Sequence, residues 1–303
     1  MKHQKNVIII SGPTGIGKTG LSIEIARQMG CSIISADSRQ IYREMKIGTA
    51  APTAEQMGKV PHYLIGTRSI FEYYNAYEFE QDALASAHDL LHTSDVVILT
   101  GGSMMYIDAF CHGIDELPTV DQKLRDHLQQ QYEEEGIESI RRQLKLLDPD
   151  FYRQVDLKNP KRLLKALEIT VMTGKPYSSF LTRPKKERPF NILKIGLNRD
   201  REELYEDINK RVDEMIDKGL TEEAKELYKN KGANALNTVG YKELFEYFDG
   251  NITYKRAIEL IKRNTRHYAK RQLTWFSKDE EIEWFHPDEK EKIREYIHQN
   301  LKE

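Results

Sequence analysis

Short apolar runs alternate with amphipathic stretches over the first third of the chain. Val7-Ile8-Ile9-Ile10, Ser32–Ser35 and Val96-Val97-Ile98-Leu99-Thr100 read as strands. Leu21–Met29 and Ala76–Leu91, the latter rich in Ala, Leu and Glu, read as helices between them. This order predicts parallel strands joined by crossover helices. Around Pro118 the pattern changes. Residues 118–188 carry three long helical stretches, Asp121–Glu135, Ile137–Leu147 and Lys161–Thr173, and no clear strand. Gly174-Lys175-Pro176 stops the last of them. Thr182–Pro189 is polar, basic and proline-containing, as a linker would be. Asn191–Leu197 then reads as another strand, and helices are expected from there to the C-terminus, Leu204–Lys218 among them. The expected architecture is an α/β core (1–117 and 190–303) interrupted by a helical insertion domain (118–189). The chain shows no internal repeat and no low-complexity tract.

Composition narrows the class. With 39% hydrophobic and 31% charged residues in 303, the chain is globular and soluble in type, not disordered. No stretch approaches the ~20 apolar residues of a membrane span. Met1–Asn6 runs straight into the first strand, so no signal peptide is expected. Cys31 and Cys111 are too few for a disulfide scaffold or a structural zinc site, so a cytoplasmic location is expected. Cys31 reads as a buried spectator. His62, His88, His92, His112 and His127 show no metal-ligand spacing, and Trp275 and Trp284 are expected in the core.

The most specific motif is Gly12-Pro13-Thr14-Gly15-Ile16-Gly17-Lys18-Thr19, which follows the first strand and opens the first helix. It fits the phosphate-binding loop G-x-x-x-x-G-K-[ST] in the context that loop requires. Its glycines let backbone N–H groups turn toward phosphate oxygens, Lys18 supplies a point charge, and the Thr19 hydroxyl can ligate Mg²⁺. The helix N-terminus adds its dipole. The loop implies a diphosphate or triphosphate without saying whose.

Asp37, in Ser35-Ala36-Asp37-Ser38-Arg39-Gln40-Ile41-Tyr42, ends the second strand and faces the loop. It can be a turn or cap residue, a magnesium ligand or a general base. The third strand ends in Thr100-Gly101-Gly102-Ser103, with no acid where an ATPase would often carry its magnesium aspartate; Asp95 lies at the wrong end. Asp37 is therefore the best-placed carboxylate for chemistry.

The net charge of −2 hides two basic stretches. Residues 158–188 hold Lys158, Lys161, Arg162, Lys165, Lys175, Arg183, Lys185, Lys186 and Arg188 against Glu168 and Glu187. Residues 255–271 hold Lys255, Arg256, Lys262, Arg263, Arg266, Lys270 and Arg271 against Glu259. Such stretches are either solvated faces or a footprint for a polyanion. The second lies on a helix whose stripe of Ile258, Ile261, Thr265, Tyr268, Gln272 and Phe276 faces the core and turns Arg263, Arg266 and Lys270 elsewhere. Taken alone, Arg211 reads as a surface ion-pair partner of Asp207 or Asp213.

Together, Gly12–Thr19, Asp37–Tyr42, Ile47-Gly48-Thr49-Ala50, Gly101–Tyr106, Arg162 within Lys161–Lys165, Thr238-Val239-Gly240-Tyr241-Lys242 and Thr265–Trp275 resemble the tRNA dimethylallyltransferases, also called tRNA isopentenyltransferases. Order and spacing match over nearly the whole chain, with Gly15-Ile16 for the more usual Ala-Ser and Ser103 for a frequent Thr. The loop alone is shared with many kinases; the Asp37 motif combined with Lys270-Arg271-Gln272-Leu273-Thr274-Trp275 is specific. No zinc-finger extension of the eukaryotic kind is expected, and the sequence resembles the bacterial form.

The resemblance implies a P-loop NTPase-like core. It also implies transfer of a dimethylallyl group from dimethylallyl diphosphate to N6 of the adenosine 3′ of the anticodon, in tRNAs reading UNN codons. It assigns Asp37 as base. Lys18, Thr19 (through Mg²⁺), the loop amides and Arg211 would hold the departing diphosphate. Asp37, Ser38, Arg39, Gln40, Ser103, Arg125, Lys161, Arg162, Leu163, Leu164, Lys165, Arg266 and Lys270 would hold the tRNA anticodon stem-loop. No membrane partner is implied, and a monomer is expected. A small-molecule kinase, a transferase acting on free adenine nucleotides and a non-catalytic RNA-binding protein are the alternatives; intact Lys18, Thr19 and Asp37 argue against the last.

Overall fold

The computed structural model of the chain describes residues 4–182 and 186–301. In chain order the elements are β1 (Asn6–Ser11), α1 (Lys18–Met29), β2 (Ile33–Ser35), α2 (Ala54–Lys59), β3 (His62–Tyr63), α3 (Ala76–Thr93), β4 (Val96–Gly101), α4 (Met104–His112), α5 (Gln122–Glu135), α6 (Ile137–Leu147), α7 (Pro149–Gln154), α8 (Pro160–Thr173), β5 (Asn191–Leu197), α9 (Arg201–Asp217), α10 (Leu220–Leu227), α11 (Tyr241–Phe248), α12 (Tyr254–Phe276), β6 (Ile282–Phe285) and α13 (Lys290–Asn300). They form two compact units, one from Met1–Cys111 with Glu187–Glu303 and one from His112–Lys186.

The first unit is built on a six-stranded sheet of order β3-β2-β4-β1-β5-β6, parallel throughout, and it has the P-loop NTPase-like architecture. Every residue of β1 is buried, as a strand covered on both faces must be. Its registers, Ser11 opposite both Gly101 and Gly196, with Ser35 opposite Thr100, bring the carboxyl ends of β1, β2, β4 and β5 level. Ligands of open α/β sheets bind at such ends. Ile8, Ile10, Ile25, Ile33, Ile98, Ile195 and Ile208 form part of the core beneath.

Two strands go beyond those the sequence predicts, and the second interrupts the expected run of C-terminal helices. β3 is a two-residue edge strand, and β6 pairs with β5 beyond the long helix α12. Lys194 of β5, 5% exposed, bonds Asp279 and Glu281 at 2.8 and 2.7 Å and so draws the start of β6 onto the sheet. That tertiary anchor has no local signature. Trp284 of β6 is partly buried, but Trp275 is 42% exposed, contrary to the expectation that it lies in the core. Cys31 and Cys111 are buried, which pushes their thiols up to about 11 and about 12.

The second unit packs α5, α6, α7 and α8 around Leu128, Ile140, Leu144, Leu163, Leu164 and Leu167. Buried Asp148 caps α7 at Phe151 and also takes the amide and hydroxyl of Ser178. The unit starts earlier than the change of pattern at Pro118. Lys186 N donates to His112 O at 3.0 Å, and Thr182 donates twice to Asp115, so the entering and leaving segments close on each other. Arg183 and Lys185 of the first basic stretch, and that part of the expected linker, lie outside the described residues.

Candidate active site

At the carboxyl ends of the strands the first unit holds a cavity of about 530 Å³, a size suited to a small ligand. The phosphate loop forms one wall. Gly15 and Gly17 adopt φ of 85° and 95°, backbone that other residues rarely take. Gly17 is the N-cap of α1 and no side chain caps the helix, so the first-turn amides remain available to an anion. Lys18 Nζ turns back onto the carbonyls of Gly12 and Pro13, at 2.9 and 2.7 Å. Burial, reinforced by repulsion from Arg211 and opposed by Asp37, brings Lys18 down to about 7.

Arg211, on α9, lines the same cavity. The acids that sequence offered as its partners are taken: Asp207 by Arg199 at 2.5 Å, Asp213 by Lys262 at 2.6 Å. Among the described residues Arg211 makes no hydrogen bond or ion pair. Burial lowers its pKa, with the charges of Asp37 and Glu214 opposing. Two desolvated cations in one cavity are costly unless an anion joins them.

Asp37 lines the same cavity, near enough for its charge to act on both cations. Its Oδ1 accepts the amides of Arg39 (2.8 Å) and Gln40 (3.2 Å), an Asx turn that orients the carboxylate; Oδ2 has no hydrogen bond among the described residues. Both the turn role and a free basic oxygen are therefore met by one side chain. Ser38 and Arg39 line the cavity as well. The Gln40 side chain is occupied: Oε1 accepts from Ser35 and Nε2 reaches the carbonyls of Thr49 and Ala50 at 3.2 and 3.3 Å. Ser103 lies outside the cavity lining, but its N–H donates to Ala36 O, next to Asp37.

β4 ends without an acid. Thr100 Oγ1 donates instead to Ile10 O, and Gly101 packs so tightly that a Cβ there would lie 2.1 Å from Ala36 O. The Thr19 hydroxyl has no partner among the described residues, and these residues contain no cluster of three or more His, Cys, Asp or Glu fit for a metal. One hydroxyl beside a phosphate-binding loop suits Mg²⁺, which is commonly held by few protein ligands together with substrate phosphates and water.

The remaining candidates fall in two places. On α12, Lys270 is exposed, but Arg266 is not turned away as expected: it bonds Asn209 at 2.5 Å and covers the Tyr205 ring. In the second unit Lys161 and Arg162 are exposed and Lys165 is half-buried, its pKa lowered by burial against the pull of Glu168. Leu163 and Leu164 are core residues, so their side chains present nothing to a partner, and Arg125 pairs with Glu168 at 3.3 Å.

Two cavity residues, Tyr268 and Gln272, and one behind its wall, Glu223, stand out in ways that sequence did not suggest. Tyr268 is pushed up to about 12 by burial, with Asp37 acting in the same sense. Glu223 of α10 accepts the amides of Lys46, Ile47 and Gly48 and the Tyr241 hydroxyl, which fixes the wall carrying Gly48 and Thr49. Gln272 links the phosphate loop at Thr14 to Gly102 after β4. Glu223 sits in no pattern that separates it from an ordinary helical polar residue; Gln272 lies in the Lys270–Trp275 segment and on the inward stripe of α12, but neither signals its two partners.

The comparisons with known proteins agree with this geometry. A family model described as IPP transferase matches residues 40–279. A tRNA dimethylallyltransferase 1 of Bacteroides thetaiotaomicron is 57% identical over 296 residues, covering 97% of this chain and 96% of that protein. The crystal structure of a full-length tRNA isopentenylpyrophosphate transferase from Bacillus halodurans aligns with a TM-score of 0.72 at 34% identity, over 98% of this chain and 97% of that one. A eukaryotic dimethylallyltransferase captured acting on tRNA aligns with a TM-score of 0.72 at 26% identity, over 89% of this chain and 69% of that one. With its loop, strand-end acid and unpaired arginine, and with these likenesses over nearly its full length, the chain belongs to the IPP transferase family.

Proposed function

We propose that this enzyme transfers the dimethylallyl group of dimethylallyl diphosphate to N6 of the adenosine 3′ of the anticodon in tRNAs reading UNN codons, in the cytoplasm where that RNA is found. The observation that carries the reading is a single cavity that brings together an uncapped helix start, Lys18, unpaired Arg211 and Asp37, whose Oδ2 is free among the described residues. In the step, N6 forms a bond to C1 of the prenyl group, the C1–O bond breaks, and the N6 proton passes to Asp37. An exocyclic amine is a poor nucleophile because its lone pair is delocalised into the ring, so a base at this position lowers the barrier. Lys18, Arg211 and the first-turn amides of α1 face the charge that builds on the leaving diphosphate. Mg²⁺, held by Thr19 and diphosphate oxygens, would neutralise further charge there. The target base must leave the anticodon stack to reach a cavity of this kind.

Incubating the purified protein with Mg²⁺, dimethylallyl diphosphate and an unmodified tRNA of this class should yield dimethylallyladenosine by nucleoside mass spectrometry. Consumption of ATP with a small acceptor, and no prenylated tRNA, would overturn the reading. The absence of an acid at the end of β4 and the family membership both weigh against that outcome.

The second unit supplies the grip on the anticodon stem in this reading. Lys161 and Arg162, exposed at the start of α8, and half-buried Lys165 are the groups available. Reversing the charge of Arg162 and Lys165 together should weaken tRNA binding and shallow the dependence of log K on log salt by about 1–2. Affinity unchanged at low salt would remove this unit from tRNA binding.

A further inference from the structure

Gln272 lies near the C-terminal end of α12 and is 1% exposed, yet it sits at the edge of the cavity. Its Oε1 accepts the backbone N–H of Thr14 at 2.9 Å, and its Nε2 donates to Gly102 O at 2.7 Å. Thr14 belongs to the phosphate loop. Gly102 belongs to the turn between β4 and α4, which is fastened to the acid side of the cavity. Ala36 N donates to Thr100 O, and Ser103 N donates to Ala36 O. Ala36 directly precedes Asp37. One buried amide thus spans the gap between the loop facing the leaving group and the strand end carrying the base.

We propose that Gln272 is a positioning residue for prenyl transfer, setting the separation of the phosphate loop and Asp37. The inference rests on the donor and base assignments made above. An amide suits the task because it is rigid and planar, with an acceptor at one end and a donor at the other. An ionised carboxylate lacks the donor for Gly102 O, and a thioether of similar volume lacks both. The turn has adapted to the amide: a Cβ on Gly102 would lie 2.3 Å from Nε2. A small misplacement of reacting groups can cost about 10²-fold in rate, so losing this spacer falls on the chemical step.

The test is single-turnover prenylation at saturating donor and tRNA, alongside binding of each substrate and thermal unfolding. Gln272→Met should lose about 10–100-fold in the chemical rate, with both dissociation constants nearly unchanged. Gly102→Ala displaces the same amide without altering it and should show the same loss. In the double variant the effects should not add, as expected for groups acting as one unit. Gln272→Glu should recover activity relative to wild type as pH falls, because the protonated acid can both accept and donate; Gln272→Met should not. Should Gln272→Met fail to fold, Gly102→Ala and Gln272→Glu carry the test. A full chemical rate in the folded variants, or a loss confined to binding or stability, overturns the proposal. If wild type itself leaves tRNA unprenylated, it is the functional reading that has failed, not this one.

Discussion

Asp37→Ala is expected to lower the chemical rate by about 10²–10⁴-fold, the range for removing a general base, while tRNA binding stays largely intact. The structure allows a sharper variant. Asp37 has two duties: Oδ1 closes the turn onto Arg39 and Gln40, and Oδ2 is free to take a proton. Asn at this position keeps an oxygen for the turn but has no basic carboxylate. Asp37→Asn should therefore be as slow as Asp37→Ala, yet unfold at the wild-type temperature. The comparison also separates chemistry from tRNA recognition, since Ser38 and Arg39 are untouched and the Gln40 side chain remains tied to Ser35, Thr49 and Ala50. A single-turnover rate near wild type for Asp37→Asn would remove Asp37 from the role of base and leave it the turn alone.

What sequence could show here was local. The phosphate loop, its strand and its helix are contiguous, so spacing alone predicts them, and Asp37 follows from its place at the end of an apolar run. Three of the second unit's helices, α5, α6 and α8, are equally legible from their apolar positions; the six-residue α7, which buries none of its residues, is not. The paired contacts were hidden, since they join residues far apart in the chain. Gln272 bonds residues 14 and 102 through one side chain, and Glu223 holds amides 46 to 48. β3 and β6 are too short for a periodic signal and exist through pairing alone. Arg211 shows the limit best. Whether it is free depends on Arg199 and Lys262 having claimed Asp207 and Asp213, which no pattern around residue 211 reveals. Conversely, the resemblance places Leu163 and Leu164 in the tRNA-binding segment, where the helical period turns them inward between Arg162 and Lys165.

Lys18→Ala is expected to weaken donor binding by about 10–100-fold, the loss of one charge-assisted contact, and to remove a pH dependence that wild type should show. With its pKa at about 7 in the donor-free protein, Lys18 is largely neutral above that pH. A bound diphosphate favours the ammonium, so binding above pH 7 should take up a proton and affinity should fall as pH rises. Calorimetry in buffers of different ionisation enthalpy reads that proton directly, and the difference between wild type and Lys18→Ala isolates it from the titration of the ligand itself. Lys18→Arg keeps its charge across the range and should bind with a flatter pH profile than wild type. The same shift bears on stability in the opposite sense. Between about pH 7 and 10.5 the unfolded chain holds a proton on Lys18 that the donor-free fold lacks, so its contribution to the unfolding free energy rises with pH over that window. Saturating donor restores the proton and should abolish that rise. Equal donor affinity at pH 6.5 and 9 in wild type, with no buffer dependence beyond that of Lys18→Ala, would show that Lys18 is charged in the empty site and that the leaving group meets a cation already in place.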